Sequence, residues 1–306
     1  MKDYIKIARP DHWIKNMFIV PGIVIALLLT KEPIKILPII IGFLATCFIS
    51  SANYVINEWL DAEFDKYHPT KKSRPVVTGN MKFKFIMIEY AILAILGLAL
   101  SLLINKYFLY VEIWLLVMGV LYNVKPIRTK DVIFLDVISE SVNNMIRLLL
   151  GWFAVTASSL PPVSVLFGYW MAGAFLMGTK RLAEYRMIGN PELAGKYRRS
   201  FKYYSEMTLL GSSFFYALCA TFFIGIFLVK YRIEYLLAMP VLFFLFAYYI
   251  MLAYKEDSAV QKPEKLYKEK KLLAIVALFA IILAIMTVVD IPSIHMLMSP
   301  HLISLK

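Results

Sequence analysis

Cysteine is nearly absent from the sequence: Cys47 and Cys219 are the only two in 306 residues. Both fall in long apolar runs, which excludes a disulfide framework and a thiolate metal site. Acidic residues are scarce, 21 against 33 lysines and arginines, for a net charge of +12. The polar share expected of a soluble chain is missing as well. Residues are 60% hydrophobic and mean hydropathy is +0.68, whereas soluble domains average about 45–50% apolar residues. The first apolar run lacks a small-residue cleavage site, so it is expected to remain as a span. No internal repeat is visible.

What the sequence does have is a series of apolar runs long enough to cross a hydrocarbon core of ~30 Å. Nine spans are expected: Trp13–Thr30, Ile36–Asn57, Phe85–Ile104, Phe108–Tyr122, Val132–Thr156, Val163–Gly178, Met207–Val229, Ile233–Ala253 and Leu272–Val289. The fold class is therefore all-α, a polytopic membrane bundle, with residues 1–306 forming one integral-membrane domain. With the amino terminus placed inside, the inner segments hold 26 lysines and arginines and the outer ones 6, with Arg147 inside a span. That bias orients the amino terminus to the cytoplasm and the carboxyl terminus outward. The excess charge is accounted for as a topology signal, so no nucleic-acid partner is implied. The compact loops point to a prokaryotic inner membrane. A homo-oligomer is compatible with the sequence.

The outer connections are short, while the inner ones are long and hold nearly all the polar residues, which predicts a polar chamber on the cytoplasmic side. The segment Lys255–Lys271, charged and broken by proline, reads as a solvated loop. At the end of the second span, Asn57, Asp61 and Asp65 recur every four residues and so share one stripe of a helix. Two carboxylates one turn apart repel unless a cation lies between them. Oxygen ligands of this kind suit Mg²⁺, which binds through one or two carboxylates plus substrate phosphates. Glu58 and, from the flank, Glu63 are further candidates. The alternative is a solvent-facing helix end whose acids pair with Lys66 and Lys71. The following "HPTKKSRP" brings Lys71, Lys72 and Arg74, and cations of this kind bind phosphates. His68 there reads as a loop residue.

The pattern N-x-x-x-D-x-x-x-D closing the second of nine spans resembles the first motif of the UbiA-type intramembrane prenyltransferase superfamily, with Asn57-Glu58 where Asn-Asp is usual. Members that use prenyl diphosphates carry a second D-x-x-x-D after span six. This chain has "GTKRLAEYRMIGNPELAGKYRRSFKYYSE" there, with seven cations. "GTKRLAEYR", "ARPDHWIKN" and "DKYHPTKKSRP" are similar to elements of the decaprenyl-phosphate phosphoribosyltransferase branch. The second of these carries Arg9, Trp13, Lys15 and Asn16, which also read as an interfacial anchor.

The resemblance implies transfer of 5-phosphoribose from phosphoribosyl pyrophosphate to a polyprenyl phosphate. Mg²⁺ would sit on Asn57, Asp61 and Asp65, and Lys71, Lys72, Arg74, Lys180 and Arg181 would hold the donor phosphates. Glu184 would bind ribose hydroxyls or orient Lys180. In the fifth span Asp136, Glu140, Asn143 and Arg147 share one face, with Asn144 beside them. They read as the chamber wall, with Arg147 near an anion; the alternative is an internal Glu140–Asn144–Arg147 packing network. Lys125, Arg128 and Lys130 precede that span and read as lipid-phosphate contacts or as topology charges. The runner-up is a prenyltransferase acting on an aromatic or glycerol-phosphate acceptor, and the reading from another class is a lipid or solute transporter.

Overall fold

The computed structural model describes residues 2–67, 71–79, 81–256, 258–261 and 263–297, and among these there is no strand. The helices are α1 (Lys2–Ile7), a 3-10 stretch Pro10–Ile19 continuing into α2 (Val20–Thr30), α3 (Ile36–Asp65), α4 (Pro75–Thr78), α5 (Phe83–Leu102), α6 (Lys106–Asn123), α7 (Leu135–Val155), α8 (Val163–Ile188), α9 (Pro191–Tyr197), α10 (Glu206–Tyr231), α11 (Met239–Ala253), α12 (Lys270–Val288) and α13 (Pro292–Leu297). An apolar run in lipid has no water to satisfy its backbone, and a helix satisfies it internally. Six segments are long and apolar enough to cross a membrane: Asp3–Thr30, Ile36–Asp65, Phe83–Leu102, Glu206–Tyr231, Ile233–Ala253 and Lys270–Val288. The more polar α6, α7 and α8 are not among them. They bury several of their polar residues, among them Glu112, Asn123, Asp136, Ser141, Thr179 and Arg181.

Two of the expected runs extend well past their apolar stretch. α3 continues without a break beyond Asn57 to Asp65, and α8 continues beyond Gly178 to Ile188. The polar stripe of α3 and the Lys180–Glu184 segment therefore stand on rigid helix.

α7 is the centre of the bundle. It packs on α2, α3 and α6 on one side and on α8 on the other, while α5 joins α3 and α6, and α10 and α11 join α8. Its contact with α2 depends on two glycines. A Cβ on Gly22 would stand 2.0 Å from the Leu148 carbonyl oxygen, and one on Gly151 would stand 2.1 Å from that of Ile19. Small residues allow helix backbones to approach this closely in a membrane. Trp152 Nε1 donates to the Ser159 carbonyl at 2.8 Å, and Asn105 caps α6 while donating to the Phe153 carbonyl at 2.7 Å.

The segment expected to be a solvated loop is instead folded against the bundle. Ser258 and Val260 are buried, Gln261 Nε2 donates to the Ala183 carbonyl at 3.2 Å, and Leu266 reaches the central cavity. Val260 and Leu266, set among its charges, join the apolar cluster under α8 and give it this packed side.

Candidate active site

A cavity of about 630 Å³ opens between α3, α6, α7 and α8, and the 3-10 stretch before α2 closes one side. Asn57, Asp61 and Asp65 all line it. Asn57 Nδ2 donates to Asp61 Oδ2 at 3.1 Å and to Asn123 Oδ1 at 2.5 Å. Asp61 Oδ1 accepts from Arg128 Nη2 at 3.0 Å and from Lys130 Nζ, while Arg74 Nη1 bonds Asp65 Oδ2. Burial pushes the Lys130 ammonium down to about 8, against the pull of Asp61. The acids of α3 thus pair with Arg74, Arg128 and Lys130, Lys71 acts on Asp65 as well, and Lys66 has no ion pair among the described residues. Arg128 and Lys130 stand behind the acids, bordering a second hollow of about 20 Å³. Arg128, expected near a lipid phosphate, is held by Asp61, the Asn123 carbonyl and Asp131.

Glu58 does not join the stripe. The position after Asn57 turns 100° around a helix, and Glu58 is buried against Arg9, which donates from Nε at 2.9 Å and Nη2 at 2.5 Å. Glu63 is exposed.

Lys71 and Arg74 reach the cavity, whereas Lys72 is exposed and does not line it. His68 lies outside the described residues. Lys71 Nζ sits 3.5 Å from Glu184 Oε1 and also bonds the Tyr197 hydroxyl, which joins the loop after α3 to the segment after α8. Burial would raise the Glu184 carboxyl, but Lys71 and Arg181 hold it well below the usual carboxylate range. Glu184 is therefore an ionic hub on the cavity wall, at 5% side-chain exposure.

Arg181 was expected on a donor phosphate. It is 2% exposed and already bound to Glu140 at 2.6 Å and Glu184 at 3.0 Å, with Asp136 at 3.6 Å. A guanidinium shared among three carboxylates holds the wall in place. Lys180 beside it lines the cavity and has no hydrogen-bond or ion-pair partner among the described residues.

α7 contributes Glu140, Asn143, Asn144 and Arg147 to the lining. Asp136, expected on the same wall, is 0% exposed and does not line it. Its oxygens accept from Tyr204 at 2.8 Å and Ser200 at 3.0 Å. Arg147 Nε donates to Asn16 Oδ1 at 3.0 Å and Nη1 to the Asn143 carbonyl at 3.1 Å. Asn16 itself is buried beneath the cavity, between Cys47, Ser50 and Arg147, so it orients Arg147 and is closed to ligand. Lys15 lines the cavity and Lys125 is exposed elsewhere. The face from Glu140 to Arg147 is cavity wall; among the described residues no hydrogen bond or ion pair joins Glu140, Asn144 and Arg147 into the alternative packing network, and the packed acid is Asp136 in the first turn.

The lining also contains Arg9, Tyr122 and Arg198, which the spacing of the sequence did not single out as site residues. Arg198 Nη1 lies 3.3 Å from the Tyr122 hydroxyl. A tyrosine ending an apolar run and an arginine inside a basic run carry no periodic signal; only the closure of the bundle shows that they meet.

The donor set on α3 fits a hard divalent cation. It is all oxygen, and two carboxylates and an amide face one cavity. Both described bonds of the Asn57 amide use Nδ2, which leaves Oδ1 for a cation. Cations on the same walls suit the phosphates such an ion would carry.

The model of the UbiA prenyltransferase family matches residues 18–272. The nodulation protein NoeC of Azorhizobium caulinodans is 28% identical over 198 residues, 63% of this chain and 62% of that one. A decaprenyl-phosphate phosphoribosyltransferase of Mycolicibacterium smegmatis is 28% identical over 214 residues, 67% of this chain and 63% of that one. The matched stretch thus spans less than two thirds of either relative. In fold, the chain is similar to the structure of a UbiA homolog from Archaeoglobus fulgidus bound to GPP and Mg²⁺. The TM-score is 0.70 at 19% identity, covering 94% of this chain and 100% of that one.

Proposed function

The chain belongs to the UbiA prenyltransferase family, integral membrane transferases, and we propose that its reaction is the Mg²⁺-dependent transfer of 5-phosphoribose from phosphoribosyl pyrophosphate to a polyprenyl phosphate. The observation that carries this reading is the composition of the wall facing Asn57, Asp61 and Asp65. Where a second metal-binding acid pair would stand, Glu184 has its two oxygens turned to Lys71 and Arg181, and Lys180 lines the cavity beside it. A cationic wall opposite a metal-binding stripe suits a donor with one phosphate more than the diphosphate on the metal. The name of the mycolicibacterial relative supports the same choice.

Asn57, Asp61 and Asp65 would hold Mg²⁺, which when bound would supply positive charge to the departing diphosphate. Lys71 and Arg74 border the same end of the cavity and take diphosphate oxygens, and Lys180 takes the 5-phosphate. Lys15 and Arg147 lie along the side where Ile14 and Phe18, both exposed, also line the cavity. They receive the lipid phosphate there, and its chain runs out into the membrane, with affinity accumulating at about 0.8 kcal/mol per buried CH₂. A lipid phosphate oxygen attacks C1 of the sugar as the C1–O bond to the diphosphate breaks. The nucleophile is already an anion and the leaving group is held by cations, so no protein group has to move a proton. With the amino terminus on the cytoplasmic side, as the charge distribution favours, the cavity opens to the cytoplasm.

The test is transfer of labelled ribose phosphate to a lipid phosphate in membranes containing the protein, with geranyl diphosphate as a rival donor. Ribosyl transfer is expected. Turnover of geranyl diphosphate without ribosyl transfer would establish the prenyltransferase reading instead, and substrate flux without any turnover would establish transport.

A further inference from the structure

Resting on the donor assignment above, we propose that Glu140 is the residue that reads the hydroxyl groups of the transferred sugar, with Tyr122 and Arg181 as its positioning residues. Three carboxylates surround the Arg181 guanidinium, and two are consumed within the protein. Asp136 has both oxygens bonded, to Tyr204 and Ser200, and Glu184 has both oxygens facing cations, Arg181 and Lys71.

Glu140 differs. Arg181 Nη2 at 2.6 Å and the Tyr122 hydroxyl at 2.7 Å both bond the same oxygen, Oε2. Its Oε1 has no hydrogen-bond partner among the described residues, and the side chain lines the cavity at 28% exposure. One end of the carboxylate is clamped and the other is presented to ligand. Asn144, one turn further along α7, and Lys180 on α8 line the cavity as well, and neither has a hydrogen-bond or ion-pair partner among the described residues. The patch therefore offers an anionic acceptor, an amide that both donates and accepts, and a cation. A polyhydroxylated group satisfies all three. A hydrocarbon donor leaves a desolvated carboxylate oxygen facing apolar atoms, which is unfavourable.

A site built to bond a hydroxyl rejects the analogue that lacks it. The reading is tested by measuring kcat/KM for phosphoribosyl pyrophosphate and its 2-deoxy and 3-deoxy analogues with the wild type, Glu140→Gln and Tyr122→Phe. In Glu140→Gln, Arg181 and Tyr122 both donate and will take the amide oxygen, so an NH₂ faces the cavity in place of an acceptor.

The wild type is expected to disfavour at least one deoxy analogue about 10- to 100-fold, the range for a hydrogen bond to a charged group. Glu140→Gln should bring that ratio to within about threefold of unity, mainly through KM, with Tyr122→Phe between the two. Inhibition by inorganic diphosphate with Mg²⁺ should be the same in all three, since the α3 stripe is untouched. Wild-type ribosyl transfer with unchanged discrimination in Glu140→Gln, or a uniform loss on all donors, overturns the role of Glu140 alone. A wild type that transfers no ribose phosphate overturns the donor assignment and this role together.

Discussion

Glu58, directly after the Asn57 that opens the polar stripe, accepts two hydrogen bonds from Arg9 through one oxygen, at 2.9 and 2.5 Å. Both side chains are largely buried, at 4% and 13% exposure. The acid that the usual motif would suggest for the metal thus fastens the segment before α2 onto α3. Glu58→Gln should destabilise the protein by about 3 kcal/mol, because Arg9 is left as an uncompensated buried charge. It should leave Mg²⁺ affinity unchanged. Thermal unfolding in detergent and metal titration of the same sample check both halves, and a weakened metal response at intact stability would return Glu58 to the ligand set.

Asp61→Asn and Asp65→Asn are expected to lower kcat about 10²- to 10³-fold, the scale of losing a group that stabilises developing charge. EDTA should abolish wild-type transfer, with activity restored by Mg²⁺. Turnover that continues under chelation would remove the metal from the reaction altogether.

Lysines close together in the sequence should separate in their kinetics. Lys71→Met and Lys180→Met line the cavity and should raise KM for the donor about 10-fold or more, since a hydrogen bond to a charged group contributes about 1.5–3 kcal/mol. Lys72→Met and Lys125→Met, exposed and away from the cavity, should stay within about twofold of the wild type, as surface substitutions usually do. Equal effects at Lys71 and Lys72 would contradict the placement of this loop.

Gly151→Ala should cost about 1–3 kcal/mol, the usual range for overpacking, because the new methyl meets the Ile19 carbonyl oxygen at 2.1 Å. Gly225→Ala, where a Cβ has nothing within 4 Å, is the control on a helix of the same bundle. Unfolding midpoints of the two variants decide it.

The all-helical architecture and the family were legible from composition, apolar run length and the Asn57–Asp61–Asp65 spacing. The family model bears out the resemblance, and the six apolar segments bear out the membrane character. Spacing reads a residue's face on its own helix, so the α3 stripe and the Glu140–Arg147 face came through. It does not read which cation from another element will meet an acid. Proximity in sequence offered Lys66 and Lys71 as partners for the acids, and it gave no sign that Arg128 and Lys130 reach Asp61 from 67 and 69 positions away. The Lys255–Lys271 segment looked solvated by its charge, and its packed side appears only with α8 beneath it.

By itself, the sequence determined what is local: where helices form and which residues share a stripe. Only the tertiary structure decided that Arg181 and Glu184 are consumed within the wall, that Asn16 lies beneath the cavity, and that Glu140 keeps one oxygen open. A charged side chain has the same composition whether paired or free. Which of the two it is depends on what other helices bring within about 3 Å, and that distance is set by packing.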